Sequence, residues 1–375
     1  MRSAWPVAAI AAGALALAAC GSSGSTSGSA TATSAATASA GAASACMTQA
    51  RQVVDAAAAP ITVQAQSQPI EMSKLKGKLV YYIGVGSGIS LRLANDFAAA
   101  AHAAGLNPVL FSGATPEAWN TGIQQAIARH AAGIMMFPIQ PSLVASSLAQ
   151  AKAAGIPVVN ENSVPPPATG VTANVLVATD TGKQVAAYAA LQTGCAAHAL
   201  ISYDPAFSGL VAIGNSMTAE FKQLCPATCT TQVLSVNLAT VATDAGPALQ
   251  SALERNPSIN AVMPAFDSLA LVMQPALAQS GSKAKLYSLD GDPPNLALVR
   301  KGLQAADYSY APTQYQAYIS VDALARAILK VTNNPPPVQF QLFTTANIPA
   351  SDSFAAMWPK LAGFQSEFMK LWGMS

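Results

Sequence analysis

The sequence predicts an α/β protein made of two doubly wound parallel-sheet lobes joined by a hinge. Three observations predict it. Short, nearly all-apolar runs alternate with helical patterns from residue 79 onward, the alternation restarts near residue 181, and 375 residues exceed what one core organises. A strand buried on both faces loses the apolar/polar alternation of a half-exposed one. Continuous apolar runs between helices therefore point to a parallel sheet covered on both sides.

The first lobe reads in order. Leu79–Val85 is a strand, Leu91–Ala104 a helix closed by Gly105, and Pro108–Phe111 the next strand. Thr115-Pro116 supplies an N-cap and a proline at the first helical position, starting a helix that runs to about His130. Gly133–Phe137, Ser142–Ala154 and Pro157–Asn160 follow as strand, helix and strand. Ala-Ala-Gly recurs at 103–105, 131–133 and 153–155, and each glycine is expected to take the left-handed conformation that stops a helix.

The second lobe repeats the scheme. Helix Thr181–Thr193, strand Ala199–Tyr203, helix Leu210–Gln223 and strand Thr231–Val236 come first. Helix Gly246–Arg255, strand Ala261–Pro264, helix Ser268–Ser280, strand Ala284–Leu289 and helix Asn295–Lys301 continue it. A strand near Ala305–Ser309 precedes the long helix Gln314–Lys330, which is expected to return to the first lobe. The expected division is 78–180 with 311–332 for lobe 1, and 181–310 with 333–350 for lobe 2. Met47–Ala59 reads as a helix within a lead-in covering 46–77. Phe354, Trp358, Leu361, Phe364, Phe368 and Leu371 recur at three- and four-residue spacing, so 351–375 reads as an amphipathic helix, packed on its own lobe or on a partner.

The first twenty residues carry an address. Arg2 precedes the apolar stretch Val7–Ala19, which at 1.5 Å per residue is about 20 Å long and too short for a stable membrane span. Leu17-Ala18-Ala19-Cys20 is similar to a bacterial lipobox, which makes 1–19 a signal peptide and Cys20 the lipidated residue. Residues 21–45 are Gly, Ser, Thr and Ala without charge, a composition expected to give a flexible tether. The expected location is the outer face of the cytoplasmic membrane.

Charge excludes other classes. Charged residues are 10% of the chain and the net charge is +2, too weak a basic excess for nucleic acid. Beyond the first twenty residues there is no long uninterrupted apolar run of membrane-spanning type. With Cys20 acylated, Cys46, Cys195, Cys225 and Cys229 remain, an even number for an oxidising compartment. Cys225–Cys229 is the preferred disulfide and Cys46–Cys195 the second. Only three histidines exist and none lies near the Cys225–Cys229 pair in sequence, which disfavours zinc.

Three segments carry a family resemblance: Asn256-Pro-Ser-Ile-Asn-Ala-Val262, Phe266-Asp-Ser-Leu-Ala270 and Tyr287-Ser-Leu-Asp-Gly291. Gly105-Leu-Asn-Pro-Val-Leu110, Ala154-Gly-Ile-Pro-Val-Val159 and Leu289-Asp-Gly-Asp-Pro-Pro294 stand at the matching places. Over Lys78–Phe343 the chain resembles the type I periplasmic binding proteins, most closely the ribose-type sugar-binding branch of ABC importers. The resemblance implies a ligand cleft at the carboxyl ends of the strands, where strand order reverses. It places ligand contacts at Ser87, Ile89, Ser90, Phe137, Gln140, Asn162, Tyr203, Asn215, Phe266, Asp267, Asp290 and Tyr310. Asp290 is the leading contact, with capping of the next helix as its other role. Asp267 is first a helix cap and second a contact.

The chain departs from the sugar pattern. Asn162-Ser163 stands where ribose-type members have Asp-Arg, Phe266 replaces a polar amide and Tyr310 a glutamine. Of the arginines only Arg92 falls near the cleft, so a carboxylate or phosphate lacks a guanidinium fork. The expected ligand is small and neutral, sugar-like or more apolar and aromatic. The resemblance implies ABC permease subunits as partners, a monomer, and no cofactor or metal; a ligand sensor signalling to a membrane receptor is the alternative. Enzyme readings lack parts: Gly84-Val-Gly86-Ser-Gly88 misses the third glycine of a dinucleotide loop and is no nucleophile elbow, and no nucleophile, base and oxyanion donors assemble.

Overall fold

The computed structural model describes residues 30–162 and 170–374. Lobe 1 is built on a five-stranded parallel sheet in the order β2-β1-β3-β4-β5. Its strands are β1 (Leu79–Gly84), β2 (Asn107–Ser112), β3 (Gly133–Phe137), β4 (Val158–Asn162) and β5 (Ala173–Leu176). Helices α2 (Gly88–Ala103), α3 (Pro116–Ala128) and α4 (Ala145–Ala153) connect them, and α1 (Ala30–Ala57) precedes them. The period of two separates the layers: Val80 and Tyr82 face α2, while Tyr81 and Ile83 face α3 and α4.

Lobe 2 is a six-stranded sheet in the order β11-β10-β9-β8-β6-β7. It comprises β6 (His198–Tyr203), β7 (Thr230–Ser235), β8 (Ala261–Pro264), β9 (Lys285–Leu289), β10 (Ala306–Tyr310) and β11 (Phe340–Thr344). Only β11 runs antiparallel, against β10, with Tyr308 opposite Leu342. Helices α5 (Gly182–Gln192) and α6 (Ser208–Leu224) cover one face, α7 (Val241–Arg255) and α8 (Asp267–Gln279) the other, and α9 (Pro293–Arg300) joins β9 to β10. Helix α10 (Thr313–Leu329) leaves β10 and packs on α2 in lobe 1, as expected from the sequence.

Several boundaries differ from the sequence reading. The second Ala-Ala-Gly glycine behaves unlike the others: Gly105 and Gly155 have φ of 76° and 72°, but α3 ends through His130 at φ 51°, and Gly133 is a strand residue. Its missing side chain makes room for α10, because a Cβ at 133 would lie 2.8 Å from Leu324 Cδ1. Strands β5 and β11 go unread in the sequence because they are short and follow loops rather than helix stops. Helix α7 begins at Val241, ahead of the Gly246-Pro247 that looked like its start. The segment expected as a flexible tether is helical from Ala30, in keeping with alanine's helix propensity.

The tail is broken into α11 (Phe354–Met357), a 3₁₀ turn at Pro359–Leu361 and α12 (Phe364–Leu371). Pro359 and Gly363, at φ 82°, interrupt the single helix that the periodicity suggested. Its apolar face packs within the molecule. Trp372 stacks on Tyr318 of α10 at 5.3 Å, and Phe364 meets Tyr315 at 5.5 Å. Disulfides join Cys46 to Cys195 and Cys225 to Cys229.

Close packing between β6 and α6 gives a direct test. A Cβ on Gly214 would fall 2.3 Å from the Tyr203 ring, so the glycine is what admits the tyrosine. Gly214→Ala is expected to lower stability by about 1–3 kcal/mol through overpacking, measured by urea unfolding. Unchanged stability would show that the ring has room to move.

Candidate functional site

The carboxyl ends of both sheets meet at the junction of the lobes, and the residues there come from seven strand ends. In lobe 1 the β1–α2 loop is shaped by Ser90, whose hydroxyl accepts from the Val85 amide at 3.0 Å and donates to the Phe137 carbonyl at 3.3 Å. Ser90 is 3% exposed and its hydroxyl is fully engaged, so its role is to tie the loop to β3 rather than to meet a ligand. Ser87 is exposed at the start of α2, and its side chain makes no capping bond there. Ile89 packs partly buried against the lobe 1 core.

Phe137 closes β3 and is buried, with its ring 6.1 Å from that of Tyr310. Tyr310 ends β10, is 4% exposed, and also meets Phe340 edge-on at 5.3 Å. Among the described residues its hydroxyl has no hydrogen-bond partner. An unpaired buried hydroxyl costs about 1–3 kcal/mol, a debt that a bound polar molecule or water would relieve. Gln140 accepts from Ser208 of α6 at 2.8 Å, a bond from lobe 1 to lobe 2. Asn162 ends β4, and its side chain, like Ser163 and Cys20, lies outside the described residues.

In lobe 2, Asp267 corrects the sequence reading. It is the first residue of α8 and makes no cap; instead Oδ1 accepts from Ser288 at 2.6 Å and Oδ2 accepts from the Asp292 amide at 2.6 Å. Fully buried, it organises the turn carrying Asp290 and has no oxygen free of internal bonds. Phe266 is the N-cap residue of α8 and packs partly buried on both lobe 2 cores. Tyr203 is nearly buried against α6, while Asn215 on that helix is exposed.

Asp290 is partly exposed at the end of β9 with φ 114°, a left-handed backbone rare for a side-chain-bearing residue. It does not cap α9, whose N-cap position is Asp292. Burial and the neighbouring Asp292 and Asp307 push the Asp290 carboxyl well above the usual carboxylate range. Burial first, and then neighbouring carboxylates, raises Asp267, and burial likewise raises Asp307 against the pull of its hydrogen bonds.

The sequence reading missed one feature altogether. Arg92 of α2 pairs across the junction with Asp292, the second aspartate of Asp290-Gly-Asp292. The lobes approach closely there, since a Cβ on Gly88 would sit 3.1 Å from Ser268 Oγ. The junction thus offers hydroxyl, amide and carboxyl groups beside aromatic rings, with its arginine already engaged. Among the described residues no group of side chains is arranged to hold a metal ion, and no helix is long and apolar enough to cross a membrane.

The fold has many solved counterparts. An ABC transporter solute-binding protein from Agrobacterium vitis with bound allitol aligns with TM-score 0.65 and 21% identity, over 73% of this chain and 97% of that one. Another from Agrobacterium vitis, bound with alpha-D-tagatopyranose, gives TM-score 0.66 and 16% identity, over 75% and 99%. A periplasmic solute-binding protein from Actinobacillus succinogenes with bound D-allose gives 0.65 and 17%, over 72% and 98%. At these identities the likeness shows the fold. No curated protein matches the sequence closely enough to add to this. The sequence profile of the periplasmic binding protein domain matches residues 84–330, which is most of both lobes, and the chain accordingly belongs to the periplasmic binding protein family, with the type I architecture.

Proposed function

We propose that this chain captures a small neutral molecule, a sugar or polyol, between its two lobes and releases it unchanged to an ABC import permease. The observation that carries this reading is the convergence of both sheets' carboxyl ends on Phe137, Tyr310 and Asp290, where a buried hydroxyl lacks a partner among the described residues. Family membership and the sugar and polyol ligands of the structural counterparts support it. Charge supports the neutral ligand: Arg92 is paired with Asp292, so an anion would have to break that pair. Contacts drawn from both lobes coexist only when the lobes are together, so ligand shifts the population toward closure. Lipidation of Cys20 would hold the protein, as a monomer, outside the cytoplasmic membrane beside its permease.

The test is native mass spectrometry and thermal shift of the full chain against D-allose, allitol, D-tagatose and a set of amino acids and organic acids. A neutral sugar or polyol should bind unchanged and raise the melting temperature. Asp290→Asn is expected to weaken that binding more than tenfold without lowering the melting temperature of the free protein, because the carboxylate removed is one that burial and its neighbours disfavour. Asparagine is chosen because alanine at φ 114° would add backbone strain. Binding confined to anions, or chemical conversion of the bound compound, would overturn the proposal.

A further inference from the structure

Outside the matched region of the family, the N-terminal segment crosses from one lobe to the other. From Cys46 onward helix α1 lies on lobe 2, where Cys46 is bonded to Cys195 and Ala50 and Ala57 are buried. The chain then runs along the 330–339 crossover. Gln341 donates to the Ala58 carbonyl, and Gln339 exchanges two bonds with Thr62, at 3.3 and 2.7 Å. On lobe 1 the Tyr315 hydroxyl bonds both the amide and the carbonyl of Gln64, at 2.6 and 2.9 Å. Gln66 reaches Asp322 and Asn333, Arg326 holds the Gln68 carbonyl, and the amides of Ile70 and Met72 bond to Leu371 and Trp372.

The two ends of this crossing are held unequally. On lobe 1, Ile61, Ile70 and Met72 are buried in the core beside the Asp322–Arg326 pair. On lobe 2, Cys46, Ala50 and Ala57 of α1 are buried with Met47, Val53 and Val54 partly buried beside them, and the disulfide is the covalent fastening of that end. Between the Ala58 and Gln64 bonds the chain can reach only about 20 Å fully drawn out. The family profile begins at residue 84, and the A. vitis allitol-binding counterpart is covered over 97% of its own length by 73% of this chain. The crossing is thus an addition to the shared lobes.

We propose that residues 46–72 are a disulfide-clamped strap that limits how far the lobes open. This rests on the reading of a hinge-closing binding protein. Rotation of lobe 2 away from lobe 1 draws the strap taut, and Cys46–Cys195 prevents α1 from peeling away to provide slack. A strap of this kind keeps the open form nearer to closure and reduces the conformational freedom lost on capture.

The experiment measures opening, not ligand affinity. Spin labels attached by non-thiol chemistry at exposed positions 143 and 239, one on each lobe, report the inter-lobe distance distribution of the ligand-free full chain. Cys46→Ser with Cys195→Ser should shift that distribution to longer distances, by about 5 Å or more at its upper limit. Cys225→Ser with Cys229→Ser, which opens a loop within one lobe, should not. If the first variant fails to fold, Gln339→Ala with Gln341→Ala unfastens the strap with the disulfide intact and should shift it in the same direction. A broad distribution identical in parent and variants would overturn the strap alone. One narrow distribution throughout, unmoved by any sugar or polyol, would overturn hinge-driven capture and the strap with it.

Discussion

Arg326→Met should cost about 3–5 kcal/mol of stability, read as a fall in the urea midpoint, because it leaves a buried carboxylate without its counter-charge. Arg326 and Asp322 are 1% and 2% exposed, with Nε and Oδ2 2.8 Å apart one helical turn apart on α10. Burial raises the Asp322 carboxyl above its ordinary range, and Arg326, Trp372 and Gln66 work against that rise. Removing the guanidinium leaves desolvation dominant. The effect extends beyond one pair: Trp372 Nε1 donates to Asp322 at 3.0 Å and Arg326 holds the Gln68 carbonyl at 2.6 Å. The 64–72 segment and the C-terminal helix are both fastened to lobe 1 through these two residues. Limited proteolysis should therefore release α12 and the 58–72 segment in the variant before either lobe is cut. Replacing both partners by apolar residues should recover much of the loss, since no charge is then left unpaired. Equal loss in the single and double variants would mean that packing, not charge, sets the cost.

Glu161→Gln should produce the opposite sign, a stabilisation that grows with pH. Glu161 is completely buried on the α10 face of β4, where one oxygen accepts from Ser320 at 2.8 Å and the other has no partner among the described residues. Burial pushes its carboxyl up to about 8 from an ordinary 4.5, with Ser320 and Gln316 pulling weakly the other way. Below about pH 4.5 both folded and unfolded chains hold the proton, so nothing is lost. Between there and about pH 8 the unfolded chain ionises while the folded chain keeps its proton, and stability declines with rising pH. At about 1.4 kcal/mol per unit, a rise of this size amounts to roughly 5 kcal/mol by pH 8. Glutamine has the same shape and no charge to desolvate. The variant should match the parent near pH 4.5 and exceed it by several kcal/mol near pH 8. Asp267, Asp290 and Asp307 are also raised, so the difference between the two pH profiles, not the parent profile, isolates Glu161. Parallel profiles would show that water reaches the carboxyl.

The unusual position of Glu161 is visible only in three dimensions. In the sequence, Val158-Val159-Asn160-Glu161-Asn162 reads as the polar end of a strand turning into a loop. The structure keeps that run in β4, paired with β5 through Glu161 and Val175. β5 is only four residues long and stands behind the loop signals Pro165-Pro166-Pro167 and Gly170, with no helical pattern between it and β4. Without it, nothing indicates that Glu161 is covered.

The candidate site divides in the same way. Asp290 and Phe137 stand at the lobe junction, where the order of apolar strands places them, and their part in binding is the proposal above. Ser90 and Asp267 stand at equally suggestive places, yet their polar atoms are engaged internally, by Val85 and Phe137 in one case and by Ser288 and Asp292 in the other. Arg92 and Asp292 are 200 residues apart in sequence, and no local pattern marks them as partners.

From residue order alone come the alternation of strands and helices, the two lobes, the return of α10 and the apolar face of the tail. These follow from period, capping and glycine placement, which act over a few neighbouring residues. Tertiary structure alone decides which glycine stops a helix and which makes room for another, which carboxyls stay free, and how the 64–72 segment and the C-terminal helix fasten to lobe 1. Those outcomes depend on groups brought together from distant parts of the chain, where burial and charge, rather than local backbone preference, determine the energy.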